Sequence, residues 1–303
     1  MAKCLVTGGA GFIGSNLVDR LIELNHEVIA IDNESSEVHE RFYWNANAVN
    51  HKLDICDFEK IRPLFDGVQY VFHLAAESRI QPGINNPLLT IKTNALGTAT
   101  ILQSSREADV DRVIYSTTSS YYGLKNQTPN VETQSKDCLN PYSVSKVAGE
   151  EIAAIYLKLY GLKTISLRYF NVYGAREPLR GPYAPVIGLF LRQFKQKVPL
   201  TIVGDGKQRR DFTHIEDVVK ANLMAAFNDL PEDAFGQTYN VGSGTNYSMI
   251  EIAEIIGASN HEFIAQRPGE ARETLADISK IKNMLGWKPE QNLQQYLERM
   301  SKS

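Results

Sequence analysis

Cysteine is scarce: Cys4, Cys56 and Cys138 are the three in 303 residues. They are odd in number, far apart, and include no CxxC pair or adjoining histidine cluster, which argues against a disulfide framework and against a zinc site. Each reads as a reduced thiol serving as a small apolar filler. Net charge is also small. With 32 Lys and Arg against 35 Asp and Glu the formal charge is −3, so there is no global basic field to gather nucleic acid or an anionic membrane. No apolar run approaches the roughly 20 residues of a membrane span, and the charged-then-apolar opening reads as a strand rather than a signal peptide. A cytoplasmic protein with no nucleic-acid, membrane or metal partner is the expectation. Repeats, low-complexity tracts and long linkers are missing too. The chain that is left is 43% hydrophobic and long enough to bury one large or two modest cores.

What is present is an alternating rhythm. Short β-rich runs, "CLVTGG", "EVIAIDN", "YVFHLAA", "RVIYSTT" and "KTISLRYF", are separated by amphipathic stretches such as 13–24 and 98–107, whose apolar residues recur at three and four. Strands apolar on both faces and divided by helices predict a parallel sheet covered on both sides, an α/β doubly wound (Rossmann) domain. From residue 172 the rhythm loosens into "NVYGAREPLRGPYAP", rich in Pro and Gly, while "FTHIEDVVKANLMAAF" reads as one more helix on the first sheet. The expected organisation is discontinuous: 1–171 with about 212–242 as a dinucleotide-binding domain, and about 172–211 with 243–303 as a smaller α/β substrate domain.

Three glycines punctuate "TGGAGFIG". Gly8 lets the chain leave the first strand in a tight turn, Gly11 removes a side chain that would block a pyrophosphate, and Gly14 lets the following helix approach the sheet. The helix N-terminus, entered at Phe12 and Ile13, then offers unpaired N–H groups to the phosphates. Asp32, eighteen residues past Gly14 at the end of the second strand, stands where a carboxylate accepts from the adenosine ribose, with Asn33 beside it. A carboxylate there repels a 2′-phosphate, and no arginine follows in "IDNESSE", so the pattern predicts NAD rather than NADP.

In "NPYSVSKVAGEEIAAIYLKLYG", Asn140 and Pro141 open a helix on which Tyr142 and Lys146 lie four apart, on one face. A phenol with a pKa of roughly 10 is a poor base near neutrality. A neighbouring ammonium and a nicotinamide cation both favour its ionised form. By spacing alone such a pair is more often only an ordinary helix surface.

In this order and at this spacing, "TGGAGFIG", "YSVSK", "LRYFNVYG" and "GDGKQRRDFTHIEDV" resemble the extended short-chain dehydrogenase/reductase superfamily, and within it the NAD-dependent nucleotide-sugar epimerases and dehydratases, in particular the UDP-glucose and UDP-N-acetylglucosamine 4-epimerases. The resemblance spans essentially the whole chain. It implies that Thr118 in "YSTTSSYYG" bonds the reacting sugar oxygen, beside Tyr142 and Lys146. For the cofactor it implies Asp54 and Ile55 around the adenine, Leu74, Ala75 and Ala76 beneath the dinucleotide, Asn94 as a buried polar neighbour and Tyr169 against the nicotinamide. For a nucleotide sugar it implies Ser78, Arg79, Ser119 and Thr274 about the sugar, with Asn171, Arg210, Arg267 and Glu270 at the diphosphate and nucleoside. A planar guanidinium and a carboxylate suit phosphate oxygens and ribose hydroxyls respectively. Arg209 should point away. A homodimer through helices 98–107 and 140–159, with the stripes "ILQSS" and "AAIYLKLY" as its face, is a further implication.

Dehydratases of this group use an acid and a base, commonly Asp-Glu, directly after the hydroxyl residue. Here those positions are Ser119 and Ser120, neither of which titrates in a useful range. Decarboxylating relatives commonly carry a glutamate in this stretch as well. The resemblance therefore implies epimerisation through a 4-keto sugar: Tyr142 removes the 4-hydroxyl proton, the sugar turns about its diphosphate linkage, and NAD is not consumed. Thr274 holds the place of a tyrosine that in related epimerases closes the space beside carbon 2. Room for a 2-N-acetyl group is thus expected, which favours UDP-N-acetylglucosamine and UDP-N-acetylgalactosamine, with UDP-glucose and UDP-galactose alongside. Arg79 keeps a uronic acid open, and with it a UDP-glucuronate 4-epimerase or decarboxylase; a nucleotide-sugar reductase or dehydratase is a further alternative. A reading of another class is a non-catalytic NAD-binding sensor or RNA-binding relative on the same fold. The presence of Thr118, Tyr142 and Lys146 together weighs against it.

Overall fold

The first half of the chain runs strand, helix, strand as its hydrophobic rhythm demands, giving β1 (Lys3–Thr7), β2 (Glu27–Asp32), β3 (Val49–Lys52), β4 (Tyr70–His73), β5 (Arg112–Thr118) and β6 (Thr164–Tyr169). In the computed structural model, which describes residues 1–179 and 184–302, these strands and Gln237–Val241 form one seven-stranded sheet. All neighbours are parallel, in the order Gln237–Val241, β6, β5, β4, β1, β2, β3. The sheet is wound outward in both directions from β1 and β4, so a crevice opens beyond the carboxyl ends of those two strands. Two of the seven strands carry no hydrophobic signal of their own in the sequence. β3 is mostly exposed, so it has no apolar run to betray it, and Gln237–Val241 borrows its place from pairing with β6.

Side chains alternate across the sheet with the period of two that a strand imposes. Cys4 and Val6 point to one face with Val28, Ala30, Phe72, Ile114 and Ile165; there Leu17, Val18 and Leu21 of α1 (Phe12–Glu23) pack beside Val218, Ala221 and Ala225 of the helix Ile215–Phe227. Leu5 points to the other, with Ile29, Ile31, Val71 and Val113 beneath Ile101 and Leu102 of the helix Gly97–Glu107. Each Val, Leu, Ile or Phe among them contributes about 1.5–3 kcal/mol on burial, and Leu17→Ala would cost about 2–5 kcal/mol.

A separate core forms around Ile187, Phe190, Leu200, Ile202, Ile252, Ile256, Leu293 and Leu297. It joins the helices Val186–Lys195, Met249–Ile256 and Leu293–Lys302 to a parallel pair, Leu200–Val203 with His261–Ile264. The helix Ser279–Leu285 and Trp287 lie in the stretch read as part of this second unit, yet Ile281, Leu285 and Trp287 pack in the sheet's core, and Trp287 Nε1 donates to the Asp217 carbonyl at 2.9 Å. The second unit as read also contains residues 180–183, which lie outside the described residues. Among the described residues no helix is long and apolar enough to cross a membrane.

Candidate active site

A cavity of about 470 Å³ opens at the crevice beyond β1 and β4. Its floor is the turn between β1 and α1. Gly8 has φ +68, and a Cβ there would lie 2.8 Å from the Ala75 nitrogen; a Cβ at Gly14 would lie 2.0 Å from the Gly8 carbonyl oxygen. The two positions therefore demand glycine for different reasons, the first for a left-handed turn against β4's end and the second for close packing of α1. Gly8, Gly11, Phe12, Ile13 and Gly14 all line the cavity, with the first N–H groups of α1 at its base. Asp32 and Asn33 close one side. The Asp32 carboxyl accepts from the Ala10 and Glu34 N–H groups at 3.2 and 2.8 Å. Burial nonetheless pushes its pKa above the usual carboxylate range. Leu74, Ala75, Ala76 and Ile55 complete this end, and Tyr169 reaches it from β6 with its hydroxyl bonded to Asn222 at 3.0 Å.

Thr118, at the end of β5, and Tyr142 and Lys146, on the helix Pro141–Tyr160, meet in the middle of the same cavity. That helix begins sharply: Asn140 caps it in a reciprocal box with Ser143, Pro141 fixes the first turn, and Gly161 ends it in a left-handed conformation. Thr118 Oγ1 also accepts from the Ser120 N–H at 3.1 Å, so one hydroxyl both caps the following turn and faces the cleft. Helical spacing assigns Lys146 the task of easing Tyr142's ionisation. In the structure burial pushes the Tyr142 phenol up, while the Thr118 hydroxyl and the Arg79 charge draw it back. Lys146 is 2% exposed and its ammonium lies 4.5 Å from the Tyr115 ring centre. Burial lowers its pKa from 10.5 to about 7, opposed by the Glu150 carboxylate one turn on. Arg79 is thus the protein cation felt by Tyr142 here.

The far end is lined by Ser78, Arg79, Ser119, Asn171, Arg210, Arg267, Glu270 and Thr274. Arg210 and Glu270 approach to 3.7 Å. Thr274 is 6% exposed, and its backbone pairs with Arg209 and Asp211 at 3.1 Å on each side. Buried Asp211 fastens the surrounding loops, accepting from the N–H groups of Ser243, Gly244 and Ala276 at 2.7, 3.0 and 3.0 Å. Asn171, at φ +27, donates Nδ2 to the Asp211 carbonyl at 2.7 Å. Arg209 turns away, as strand alternation requires, and bonds Asn246 and Glu251.

Two expected residues are not brought to the cavity. Asp54 uses its carboxylate on the Cys56 N–H at 2.9 Å, in a turn behind Ile55. Asn94 is 1% exposed and pairs with both backbone groups of Glu77 and with the Ser145 hydroxyl, so it braces the strand end from below rather than facing the cleft.

The sequence profile of the GDP-mannose 4,6 dehydratase family matches residues 5–300. The chain belongs to this family. Its fold is shared over 99% of the chain by a UDP-glucose 4-epimerase of Thermotoga maritima solved with UDP-glucose, at 33% identity and a TM-score of 0.92, covering 97% of that protein. A UDP-N-acetylglucosamine 4-epimerase of Methanobrevibacter ruminantium, in complex with UDP-N-acetylmuramic acid, gives 30% identity and a TM-score of 0.90 over 99% of this chain and 97% of that one. A Thermus thermophilus UDP-glucose 4-epimerase in complex with NAD gives 29% and 0.87 over 99% and 98%.

Within this dehydratase-named family, the pocket of the present chain also draws on residues that no motif announced. Ser35, Ser36, His39 and Phe42 reach it from the loop after β2, and Gln81 and Glu177 also line it. The loop residues belong to no periodic element, so only the fold reveals them. Glu177 was legible as an acidic residue beside "NVYG" but had no spacing partner. It is 8% exposed; Oε2 accepts from the Gly174 N–H at 3.5 Å, while Oε1 has no hydrogen-bond partner. Burial pushes this carboxyl up to about 8.

Proposed function

We propose that this protein is an NAD-dependent UDP-sugar 4-epimerase whose preferred pair is UDP-N-acetylglucosamine and UDP-N-acetylgalactosamine. The observation that carries the reading is the convergence of Thr118, Tyr142 and Lys146 with Arg210, Arg267 and Glu270 on one cavity, with serines at the two positions after Thr118. Serine cannot supply the acid and base of a dehydration near neutral pH, which argues for isomerase rather than dehydratase chemistry within the family. The likeness to epimerases solved with UDP-glucose and with NAD supports the same class.

The residues present fit NAD. The floor at Gly8 and Gly14 admits no side chain, α1 presents its N-terminus, and Asp32 offers a carboxyl rather than a cation. When bound, NAD supplies a reversible hydride acceptor. The chain's own groups do the rest. Tyr142 takes the proton of the 4-hydroxyl and later returns it; Thr118 bonds the same oxygen; Arg79 favours the phenolate through its charge, and Lys146, one helical turn from Tyr142, positions the reacting groups. Arg210 and Arg267 hold the diphosphate and Glu270 the nucleoside ribose, leaving the sugar free to turn. Thr274, small and buried, leaves space for the 2-N-acetyl group, and the likeness to the Methanobrevibacter enzyme supports that choice.

The reading extends to a homodimer. Of the stripes expected to form its face, "ILQSS" is internal, because Ile101 and Leu102 pack under the chain's own sheet. The other stripe, "AAIYLKLY", does expose Ile155 and Leu159, and exposed Leu88, Leu96 and Val144 add further apolar side chains; a second copy is the partner we assign to them.

The test is to incubate purified protein with UDP-N-acetylglucosamine, without added cofactor, and to analyse the sugar, with UDP-glucose and UDP-glucuronate in parallel. UDP-N-acetylgalactosamine is the expected product. Inertness toward both N-acetylhexosamines would overturn the role given to Thr274, and turnover of UDP-glucuronate alone would transfer specificity to Arg79.

A further inference from the structure

Two side-chain amides reach the segment between Arg267 and Glu270 from the two helices beside Tyr142. Gln81, on the helix Ile80–Asn85, donates Nε2 to the Pro268 carbonyl at 2.9 Å. Asn140, at the start of the helix Pro141–Tyr160, donates Nδ2 to the Gly269 carbonyl at 2.9 Å. These carbonyls are successive, so the chain is gripped at both residues that separate the two side chains assigned to the nucleotide. The fit is close. Gly269 has φ +76, and a Cβ there would lie 3.3 Å from Ile84 Cδ1 and 3.4 Å from Asn140 Cβ. The other end of the Asn140 amide is also committed: Oδ1 accepts from the Ser143 N–H at 2.8 Å and so caps the helix that carries Tyr142. One amide therefore ties the Tyr142 helix to the 267–270 segment, and a second ties that segment to the neighbouring helix Ile80–Asn85, where a Cβ at Gly83 would lie 3.4 Å from Tyr142 Cβ.

We propose that Gln81 and Asn140 are positioning residues that hold segment 267–270, and with it the nucleotide end of the substrate, in register with Tyr142. The inference rests on the assignment of Arg267 and Glu270 to that end. A loop that carries two ligand groups loses conformational freedom on binding, and a loop already clipped at its middle loses less. The clip therefore acts on affinity for the nucleotide. It leaves the proton transfer at Tyr142 to the groups that touch the sugar.

Asn140→Asp keeps a capping oxygen, since Asp and Asn are comparable N-caps, but turns the donor toward Gly269 into an acceptor. Gln81→Glu does the same toward Pro268 and does not involve the cap. UDP and UDP-N-acetylglucosamine are titrated into NAD-containing wild type and variants by calorimetry, with kcat, bound NAD and thermal midpoint measured on the same samples. Each variant is expected to raise the Kd of UDP and the KM of the sugar nucleotide about tenfold. The value of kcat is expected to stay within about threefold, with NAD content and midpoint held. Because both amides grip one segment, the double variant should lose less than the product of the single effects. A purely structural role would lower the midpoint and NAD content of Asn140→Asp and leave the UDP affinity of both variants unchanged, which overturns the proposal. Arg267→Leu is the control. If it too leaves UDP affinity unchanged, the nucleotide assignment has failed; if it weakens UDP while Asn140→Asp and Gln81→Glu do not, the clip alone has failed.

Discussion

Arg168 and Glu150 form a buried two-point ion pair, with Nη2 2.6 Å from Oε2 and Nε 2.9 Å from Oε1. Neither side chain is more than 7% exposed. The Thr117 hydroxyl donates to Glu150 Oε1 at 2.7 Å, Arg168 Nη1 donates to the Tyr122 hydroxyl at 3.1 Å, and the guanidinium carbon lies 3.4 Å from the Tyr121 ring centre. The pair thereby joins the end of β5, the Tyr142 helix and β6 directly behind Thr118. Removing one partner strands the other charge in the interior. Glu150→Ala is expected to reduce unfolding free energy by about 3–5 kcal/mol, whereas replacing both partners by apolar residues recovers most of it. Urea denaturation of the single and double variants measures this; a loss below about 1 kcal/mol in the single variant would show that the pair is not buried as described.

Tyr142→Phe removes the proposed base and leaves the ring. We expect kcat to fall by about 10²–10⁴-fold, with NAD still bound, because the cofactor's floor is built from β1, α1 and β4. Steady-state kinetics with quantification of cofactor released on denaturation separates the two. Full activity in this variant would refute the assignment.

Glu177 gives the protein a pH signature. Its carboxyl stands at about 8 in the fold against 4.5 as its ordinary value, with burial the main cause and the Gly188 and Gly174 N–H groups and the Arg79 charge opposing it. The folded state thus binds this proton more tightly than the unfolded chain does. Its contribution to stability is complete below pH 4.5 and is lost as pH rises from there through about 8. Glu177→Gln should remove that loss, so the stability of the variant relative to wild type should grow by a few kcal/mol between about pH 5 and about pH 8. Urea unfolding at the two pH values is the check, and a pH-independent difference would contradict it.

Thr274→Tyr should separate the sugars. A bulky ring in a position that is 6% exposed has no way out except into the cavity. The kcat/KM for UDP-N-acetylglucosamine is expected to drop by about a hundredfold and that for UDP-glucose by a few-fold at most, an order of magnitude typical of steric exclusion from a substrate pocket. Equal losses on both sugars would remove Thr274 from the account of specificity.

The division between what the sequence disclosed and what it withheld has a physical basis. Gly8, Gly14 and Asp32 were legible because a strand-turn-helix that cradles phosphate leaves no freedom of residue type at those points. Tyr142 and Lys146 were legible because helical spacing puts them on one face and the "YSVSK" resemblance gives that face its chemistry. Arg79's influence on Tyr142 was hidden, since it depends on how the chain turns after β4 and no local pattern encodes that. Asn94 had the right chemistry and the wrong direction: its amide is taken up by the Glu77 backbone and by Ser145. Asp54 is exposed and turns one carboxylate oxygen to the Cys56 N–H, outside the cavity lining. Burial also reversed the sign expected for Tyr142. Helical spacing gives the distance between two groups, and the solvent each of them loses is a property of the folded cleft.

The central claim is that one site oxidises the sugar at carbon 4 and reduces the same carbon again. UDP-N-acetylglucosamine carrying deuterium at carbon 4 tests it most directly, incubated with the purified protein in ordinary water and no added cofactor. The account predicts UDP-N-acetylgalactosamine that keeps its deuterium at carbon 4. Epimer formed with the label lost to solvent, or a stable oxidised or dehydrated sugar in its place, would contradict it.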